Sequence, residues 1–186
     1  RIAVPATPQD AYWQLRQAIA SDDCIVLLEH ALLYGDKGAV DLHAAPPPMH
    51  QAVVRRPGRD LTIIAYSRMA NLAQEAAGIL AGEGLDAEVI DLRSLRPIDW
   101  ELCVNSVRKT RHLLIAEEDC RFAGAGAEIA ATLAERCFDV LAAAPFRLGG
   151  LDLPTPFNEA LEAACIPQVE DIVEAARRLC QPRGGR

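Results

Sequence analysis

From residue 61 onward, short apolar runs of strand length alternate with longer segments in which apolar residues recur at helical spacing. Runs that are apolar throughout suit strands covered on both faces, and strands that alternate with helices imply right-handed crossovers. We therefore predict an α/β domain with three αβα layers and a mainly parallel sheet. The predicted strands are 61–66, 87–91, 112–116 and 145–148, and the predicted helices are 69–81, 97–109, 124–137 and 169–180.

The first residues predict one further αβ unit ahead of this domain. Thr7 can cap a helix and Pro8 suits its first turn, so we predict a helix over 8–22. The run 24–28 is apolar throughout, which predicts a strand covered on both faces, with no sheet of its own to join. Because the sequence opens at Arg1 without Met and has an apolar, strand-like start, we expect the chain to be a fragment.

Residues 35–58 differ in character from both flanking parts. Their prolines and glycines disfavour helices and remove backbone donors, which favours a stiff, extended path. Within this stretch, 51–55 has the composition to pair as a short edge strand. The predicted organisation is a partial domain over 1–34, a linker over 35–58 and a second domain over 59–186.

The composition argues against several classes of protein. The net charge of −7 disfavours nucleic-acid binding, which needs clustered Lys and Arg. No apolar run reaches the roughly 18 residues of a membrane span. The six cysteines lack Cys-x-x-Cys spacing, so reduced and mostly buried thiols are favoured over a zinc site or a disulfide framework. Reduced thiols imply a reducing compartment.

Two glycines, Gly124 and Gly126, follow a predicted strand and open a helix. The dinucleotide-binding fingerprint starts in this way, but it needs a small residue at its sixth position, where this chain has Ile129. We therefore favour a tight strand-to-helix turn with Glu128 near the positive end of the helix.

Three acids, Glu117, Glu118 and Asp119, stand at the carboxyl end of a predicted strand, where open α/β sheets place their sites. Adjacent carboxylates can serve acid–base chemistry, or bind a cation or a basic partner. Successive side chains of an extended chain point to opposite sides, so two of them rarely share one task. We favour solvated loop charges, or a contact with Arg121.

Two further features leave alternatives open. Arg93 and Arg96 either clamp a carboxylate or phosphate, or pair with acids of the same domain. The acids considered are Asp91, Asp99 and Glu117. His30 ends an apolar run, where it either lines a pocket or is a hydrogen-bonded structural histidine. The sequence has no nucleophile elbow, phosphate-binding loop or zinc motif, so no catalytic residue is predicted.

Seven segments of this chain occur in an order that is specific to one family. They are 7–11, 28–34, 60–69, 88–99, 117–129, 152–156 and 166–172. Their order resembles the β subunit of thiamine-diphosphate-dependent 2-oxoacid dehydrogenases, which act on pyruvate, branched-chain 2-oxoacids or acetoin. The resemblance covers nearly the whole chain. It implies a transketolase-like architecture, in which 1–34 ends a pyrimidine-binding domain and 59–186 is the C-terminal domain.

The resemblance implies a parent enzyme that decarboxylates a 2-oxoacid, or cleaves acetoin, and reductively acylates lipoamide. In this family the subunit's cofactor-contacting Glu and its active-site His lie upstream of the segment that matches Arg1. No catalytic or cofactor-binding residue therefore carries over. Thiamine diphosphate and Mg²⁺ are expected in the parent enzyme and not on this chain, which we expect to be inactive alone.

The resemblance also implies partners, in a bacterial cytoplasm or a mitochondrial matrix. They are an α subunit, a second β subunit and a dihydrolipoyl acyltransferase core, with no nucleic acid and no membrane. At the core-docking surface many members carry an acid before Ala-Pro, where this chain has Ala142. The alternatives are a C-terminal domain of another transketolase-like enzyme, or a free-standing assembly module.

A potassium site in some members uses backbone carbonyls at the end of a helix. The matching residues here are Ala18, Ile19, Ser21 and Asp23. The last carbonyls of a helix lack intrahelical donors and carry partial negative charge, so a cation suits this position.

Overall fold

The computed structural model describes residues 1–181. The elements are β1 (Ile2–Ala3), α1 (Pro8–Ile19), β2 (Val26–Leu27), a 3-10 helix (Ala31–Leu33), β3 (Val53–Arg56), β4 (Leu61–Ala65), α2 (Arg68–Gly82), β5 (Ala87–Asp91), β6 (Ser94–Arg96), α3 (Trp100–Thr110), β7 (Leu113–Cys120), α4 (Ala125–Cys137), β8 (Phe146–Gly150), α5 (Glu159–Cys165) and α6 (Val169–Cys180).

The main sheet has five strands in the order β3-β5-β4-β7-β8. The pairs β4–β5, β4–β7 and β7–β8 are parallel, whereas β3 pairs with β5 in antiparallel orientation. The α/β class and the mainly parallel sheet are therefore confirmed. The edge strand predicted near 51–55 is also present, because β3 occupies Val53–Arg56. It lies within the predicted linker, and the domain boundaries themselves remain predictions.

Each face of the main sheet has its own apolar core, which gives the predicted three layers. On one face α2 and α6 pack against β4, β5 and β7. The buried side of α2 recurs at helical spacing, with Met69, Ala70, Ala73, Ala76, Ala77 and Leu80. On the other face α3 and α4 cover Ile64, Ile90 and Ile115. The high apolar content of the central strands follows from this double coverage.

A second, three-stranded sheet in the order β2-β1-β6 joins the N-terminal residues to the domain. β1 is parallel to β2 and antiparallel to β6. The prediction that 24–28 forms a doubly covered strand without a sheet to join was wrong. The strand is only Val26–Leu27, it pairs with β1, and 48% of the Val26 surface is exposed.

Several local predictions also need correction. The first helix ends at Ile19 rather than at 22. β7 runs on to Cys120, so the three acids lie on a strand and not in a loop. Neither β6 nor α5 was predicted. Of the six cysteines, Cys103 and Cys137 are buried, whereas Cys24 is exposed and the others are intermediate. None of the helices within residues 1–181 is both long and apolar enough to cross a membrane.

Candidate functional site

The carboxyl ends of the parallel strands meet at one edge of the main sheet, and His30 reaches this edge from the N-terminal residues. We define the edge cluster as His30, Tyr66, Arg68, Glu117 and Glu118. Tyr66 follows β4, Arg68 begins α2, and both acids lie on β7. Open α/β sheets place their ligand sites at this edge.

Glu118 connects the N-terminal residues to the domain. One of its carboxylate oxygens lies 2.7 Å from His30 Nε2, and the other accepts a hydrogen bond of 2.9 Å from Arg68 Nη1. The predicted partner Arg121 is not the one found. His30 Nδ1 also accepts the amide of Leu32 at 3.1 Å, which caps the 3-10 helix. His30 thus combines the two interpretations, because it is hydrogen-bonded and also lines a cavity.

Glu117 points to the opposite side of β7 and is 1% exposed. Its Oε2 accepts hydrogen bonds from Tyr66 Oη at 3.2 Å and from the amide of Gly126 at 2.8 Å. Burial raises the pKa of Glu117, although these two donors oppose the shift. Burial and the neighbouring Glu117 carboxylate raise the pKa of Tyr66. The positive end of α4 therefore faces Glu117.

This contact explains the two glycines that resemble a nucleotide-binding turn. A Cβ at Gly126 would overlap Glu117 Oε1, and a Cβ at Gly124 would lie 2.5 Å from the Cys120 carbonyl oxygen and 2.9 Å from Glu117 Oε1. The strand-to-helix turn is confirmed, and Glu128 lies in the first turn of α4 as predicted. Its carboxylate accepts a hydrogen bond from Thr132, whereas the carboxylate that accepts the Gly126 amide is Glu117.

Two adjacent cavities, of about 200 and about 190 Å³, open beside the edge cluster. Both are lined by Glu29 and His30. The first also holds Tyr34 and Asp36, and the second holds Tyr66, Ser67, Glu118 and Asp119. Tyr34 Oη donates a hydrogen bond of 3.1 Å to Glu29. Carboxylates outnumber cations around both cavities, so this edge attracts positive groups and repels anions.

A second cluster, the buried ion network, lies where α1 meets β3, β5 and β6. Its members are Asp10, Arg55, Asp91 and Arg93. Arg93 Nε donates to Asp10 at 2.7 Å, and Arg55 donates to Asp91 at 2.7 Å and also to Asp10. Asp10, Asp91 and Arg93 are each 3% exposed or less. Gln14 of α1 adds a hydrogen bond of 2.7 Å to the Arg93 carbonyl.

The alternatives for Arg93 were an external carboxylate or phosphate, or an acid of the same chain. In the network, Arg93 pairs with an acid of the same chain. Its side chain pairs with Asp10, however, and none of the three acids considered takes that role. Burial raises the pKa of Asp91 to about 6, against the lowering effect of Arg55. The structure shows that α1 buries two polar residues, Asp10 and Gln14, and no local pattern in the sequence indicates this. Arg96 lies on β6 with an exposed side chain.

The four residues of the predicted potassium site lie at and after the end of α1. Ala18 and Ile19 end the helix, and the Ala18 carbonyl accepts the amide of Ser21 at 3.3 Å. Asp23 forms an ion pair of 2.9 Å with Arg1. Among residues 1–181, no group of three or more His, Cys, Asp or Glu side chains is arranged to hold a metal ion. A site built from backbone carbonyls is not tested by this, and it stays a prediction.

Comparison with known proteins identifies relatives along nearly the whole chain. Residues 50–172 match the family described as "Transketolase, C-terminal domain". The chain is 42% identical over 184 residues to "Pyruvate dehydrogenase E1 component subunit beta-2, mitochondrial" of Oryza sativa subsp. japonica, covering 97% of the chain and 49% of the relative. It is also 42% identical to the "Pyruvate dehydrogenase E1 component subunit beta" of Leifsonia xyli, covering 96% of the chain and 52% of the relative.

A solved structure described as "Split gene transketolase, inactive beta4 tetramer" is similar in fold and in sequence. The TM-score is 0.76 and the identity is 29%, over 96% of this chain and 56% of that one. The chain spans about half the length of the curated relatives that it matches.

Proposed function

The chain belongs to the family of transketolase C-terminal domains, and we propose that it is the C-terminal part of the β subunit of a thiamine-diphosphate-dependent 2-oxoacid dehydrogenase. The observation that carries this proposal is the 42% identity to three pyruvate dehydrogenase β subunits over 96–97% of the chain. That identity includes the N-terminal residues, which lie outside the family match at 50–172. The parent enzyme would oxidatively decarboxylate a 2-oxoacid and pass the acyl group to lipoamide.

We propose that this part of the subunit organises the enzyme. Residues 1–34 would end a pyrimidine-binding domain, and the domain from 59 onward would fix its position. The buried ion network supports this role, because it joins α1 to the C-terminal domain through side chains far apart in the sequence. Charged groups in such a site have strict geometric requirements, so the network favours one orientation of the two parts.

The edge cluster does not fit the diphosphate of the cofactor. Both cavities are bordered by carboxylates, and a diphosphate there would face like charge with few compensating cations. Thiamine diphosphate supplies carbanion-stabilising chemistry where it is bound. We assign no step of that chemistry, and no catalytic or cofactor-binding residue, to this chain.

The partners would be the α subunit, a second β subunit and a dihydrolipoyl acyltransferase core. The acid that many members carry before Ala-Pro is Ala142 here, and the Ala142 amide donates to the Arg111 carbonyl at 2.9 Å. We therefore propose that docking to the core lacks this ion pair. Among the relatives are bacterial and mitochondrial proteins, and we propose a bacterial cytoplasm or a mitochondrial matrix.

We also propose the potassium site at Ala18, Ile19, Ser21 and Asp23. A cation there would stabilise the carboxyl end of α1 through backbone carbonyls. The thermal midpoint of the chain, measured in equal concentrations of KCl and NaCl, would be higher in KCl. Equal thermal midpoints in the two salts would contradict the proposed potassium site.

A second candidate, the C-terminal part of a transketolase, is favoured by the split-gene structure with its TM-score of 0.76. The experiment that separates the two is size-exclusion chromatography with light scattering. The chain, of 20.1 kDa, would be mixed with the α subunit that pairs with the Leifsonia xyli relative, and separately with the complementary chain of a split transketolase. A stable complex with the α subunit supports the dehydrogenase, and a complex with the transketolase chain alone would replace it.

A further inference from the structure

A third cavity, of about 370 Å³, lies between α1 and residues 42–46 of the linker. It shares no lining residue with the two cavities beside the edge cluster. Pockets that hold small organic ligands typically have volumes of ~300–1,000 Å³. This cavity is therefore large enough for such a ligand, whereas the two others, of about 200 and about 190 Å³, are smaller than that range.

The linker wall of this cavity is held against α1 on both sides. Before the cavity, Gln9 forms two hydrogen bonds with the Asp41 backbone, of 2.6 Å to its amide and 3.3 Å to its carbonyl. After the cavity, Gln17 Nε2 donates to the Pro47 carbonyl at 2.8 Å. The walls are thus in place before a ligand arrives, and a site formed in advance loses less entropy on binding.

Arg16 supplies the positive charge of this cavity. Its guanidinium lies 5.3 Å from the centroid of the Tyr12 ring and donates a hydrogen bond to Tyr12 Oη. Within residues 1–181 it forms no ion pair. A guanidinium has five N–H donors, so most of them remain available to the two oxygens of a carboxylate. His43 adds a second basic side chain to the lining, which includes no Asp or Glu.

The acids around the cavity set a limit on the charge of its ligand. Asp41 precedes the linker wall, and its Oδ1 accepts the amides of two wall residues at 2.8 and 3.0 Å. Asp10 belongs to the buried ion network, Asp23 pairs with Arg1, and Asp22 is exposed after the end of α1. The last carbonyls of α1 are also partially negative. One unpaired guanidinium in such surroundings suits a ligand with a single negative charge better than a phosphate.

The remaining walls determine the body of the ligand. Leu42, which is 57% exposed, lines the cavity together with Ala45 and Pro46. Trp13 lies opposite, on α1, and its buried indole Nε1 has no acceptor among residues 1–181. A buried donor without an acceptor is unfavourable, which favours a ligand that brings acceptor atoms. Mostly apolar walls with a few polar groups are typical of small-molecule pockets, so the ligand should combine acceptors with an apolar body.

We propose that this cavity binds a small monocarboxylate, whose carboxylate pairs with Arg16 and whose apolar body packs between Trp13 and the linker. An arginine in the last turn of a helix also suits the helix dipole, and a purely structural Arg16 is the alternative. The proposal does not depend on the identity of the parent enzyme. Its failure would therefore leave the proposed function unchanged.

The test titrates benzoate into the 186-residue chain, labelled with ¹⁵N, and follows the amide and indole signals by NMR. We expect saturable shifts at the Trp13 indole and at residues 42–45, with a dissociation constant of about 1 mM. The indole of Trp100, which lies outside the cavity, should not shift. Benzamide has the same ring without the charge and should bind about 10-fold more weakly, because it cannot form the ion pair with Arg16.

The variant Arg16→Gln should weaken benzoate binding about 10-fold. Arg16 is exposed and Gln is a good helix former, so α1 should remain intact. Arg136→Gln is the matched control, because the Arg136 guanidinium also lies 5.3 Å from an aromatic ring, that of Trp100, and belongs to α4. The control should change the affinity less than about 2-fold.

Three results would overturn the proposal. Equal affinity of Arg16→Gln and the unmutated chain for benzoate would mean that Arg16 is structural. Equal affinity for benzoate and benzamide, which requires no variant, would mean that the cavity selects the ring and not the carboxylate. The absence of a saturable shift at Trp13 up to about 50 mM benzoate would exclude a ligand site of this chemistry.

Discussion

The N-terminal residues and the C-terminal domain are held in place by different kinds of interaction. Within the domain, α6 buries Ile172, Val173, Ala175 and Ala176 against the sheet. Within α1, the buried residues are Asp10 and Gln14, whereas Leu15 and Ile19 are 46% and 77% exposed. The domain thus has an apolar core on each face, and the N-terminal helix is attached largely by directional polar contacts.

This difference indicates a division of roles. Burial of apolar surface is nondirectional and gives the domain most of its stability. Buried ion pairs add little net stability against an apolar alternative, but they depend strongly on geometry. The network of Asp10, Arg55, Asp91 and Arg93 therefore fixes where α1 lies more than whether the domain folds. Mutations in the two regions should have separable effects.

The largest effect is expected from the apolar core. Leu114 lies on β7, between β4 and β8, and is 0% exposed. Leu114→Ala removes buried apolar contacts and leaves a cavity, so we expect a loss of about 4 kcal/mol in the free energy of unfolding, measured in urea. Ile79→Ala on α2, where the side chain is 47% exposed, is the control and should cost less than about 1 kcal/mol. Equal losses would contradict the assigned core.

The second effect concerns the attachment of α1. Asp10→Asn leaves the buried Arg93 without its carboxylate partner, while Arg55 keeps Asp91, and we expect a local cost of about 3 kcal/mol. The amides of α1 should exchange with deuterium about 100-fold faster, while those of the central strands stay protected. Asp36→Asn, in an exposed acid of the same region, is the control. Equal loss of protection in both regions would mean that they unfold as one unit.

The smallest effect is a pH dependence of the network. Because burial raises the pKa of Asp91 from 3.8 to about 6, folding takes up a proton between these two values. The contribution of Asp91 to stability is fully present below the lower value and is lost as the pH rises past the upper one. Asp91→Asn should therefore gain about 2 kcal/mol relative to the unmutated chain between pH ~4 and pH ~7.

Urea unfolding of both proteins across this range would measure the difference. A difference that is independent of pH would indicate equal Asp91 pKa values in the folded and unfolded states. A difference of opposite sign would mean that Arg55 lowers the pKa of Asp91 by more than burial raises it.

Local patterns in the sequence predicted the elements of the domain well. The strands β4, β5 and β7 are rich in apolar residues because helices cover both faces, and their alternation with helical segments is visible without a structure. The helix α5 was not predicted, because its 7 residues are too few to show helical periodicity. The length of β2 was overestimated, since an apolar composition does not reveal how many residues of a run pair with a neighbouring strand.

The sites were harder to predict than the fold. Arg93 and Asp10 are 83 residues apart, and no local pattern couples them. A serine directly before a helix is typical of a cap, but Ser67 has a φ of 53° and its side chain makes no capping hydrogen bond to α2. Glu117 was recognised as one of three acids at a strand end. Its contact with Gly126 required knowing that α4 begins beside β7.

We propose that this chain organises an enzyme and does not hold the cofactor. Isothermal titration calorimetry of thiamine diphosphate with Mg²⁺ into the 186-residue chain tests it most directly. We expect no saturable heat, because the cavities at the carboxyl edge are bordered by Glu29, Glu118 and Asp119 and repel a diphosphate. Saturable binding with a dissociation constant in the micromolar range would contradict the account and place a cofactor site within this chain.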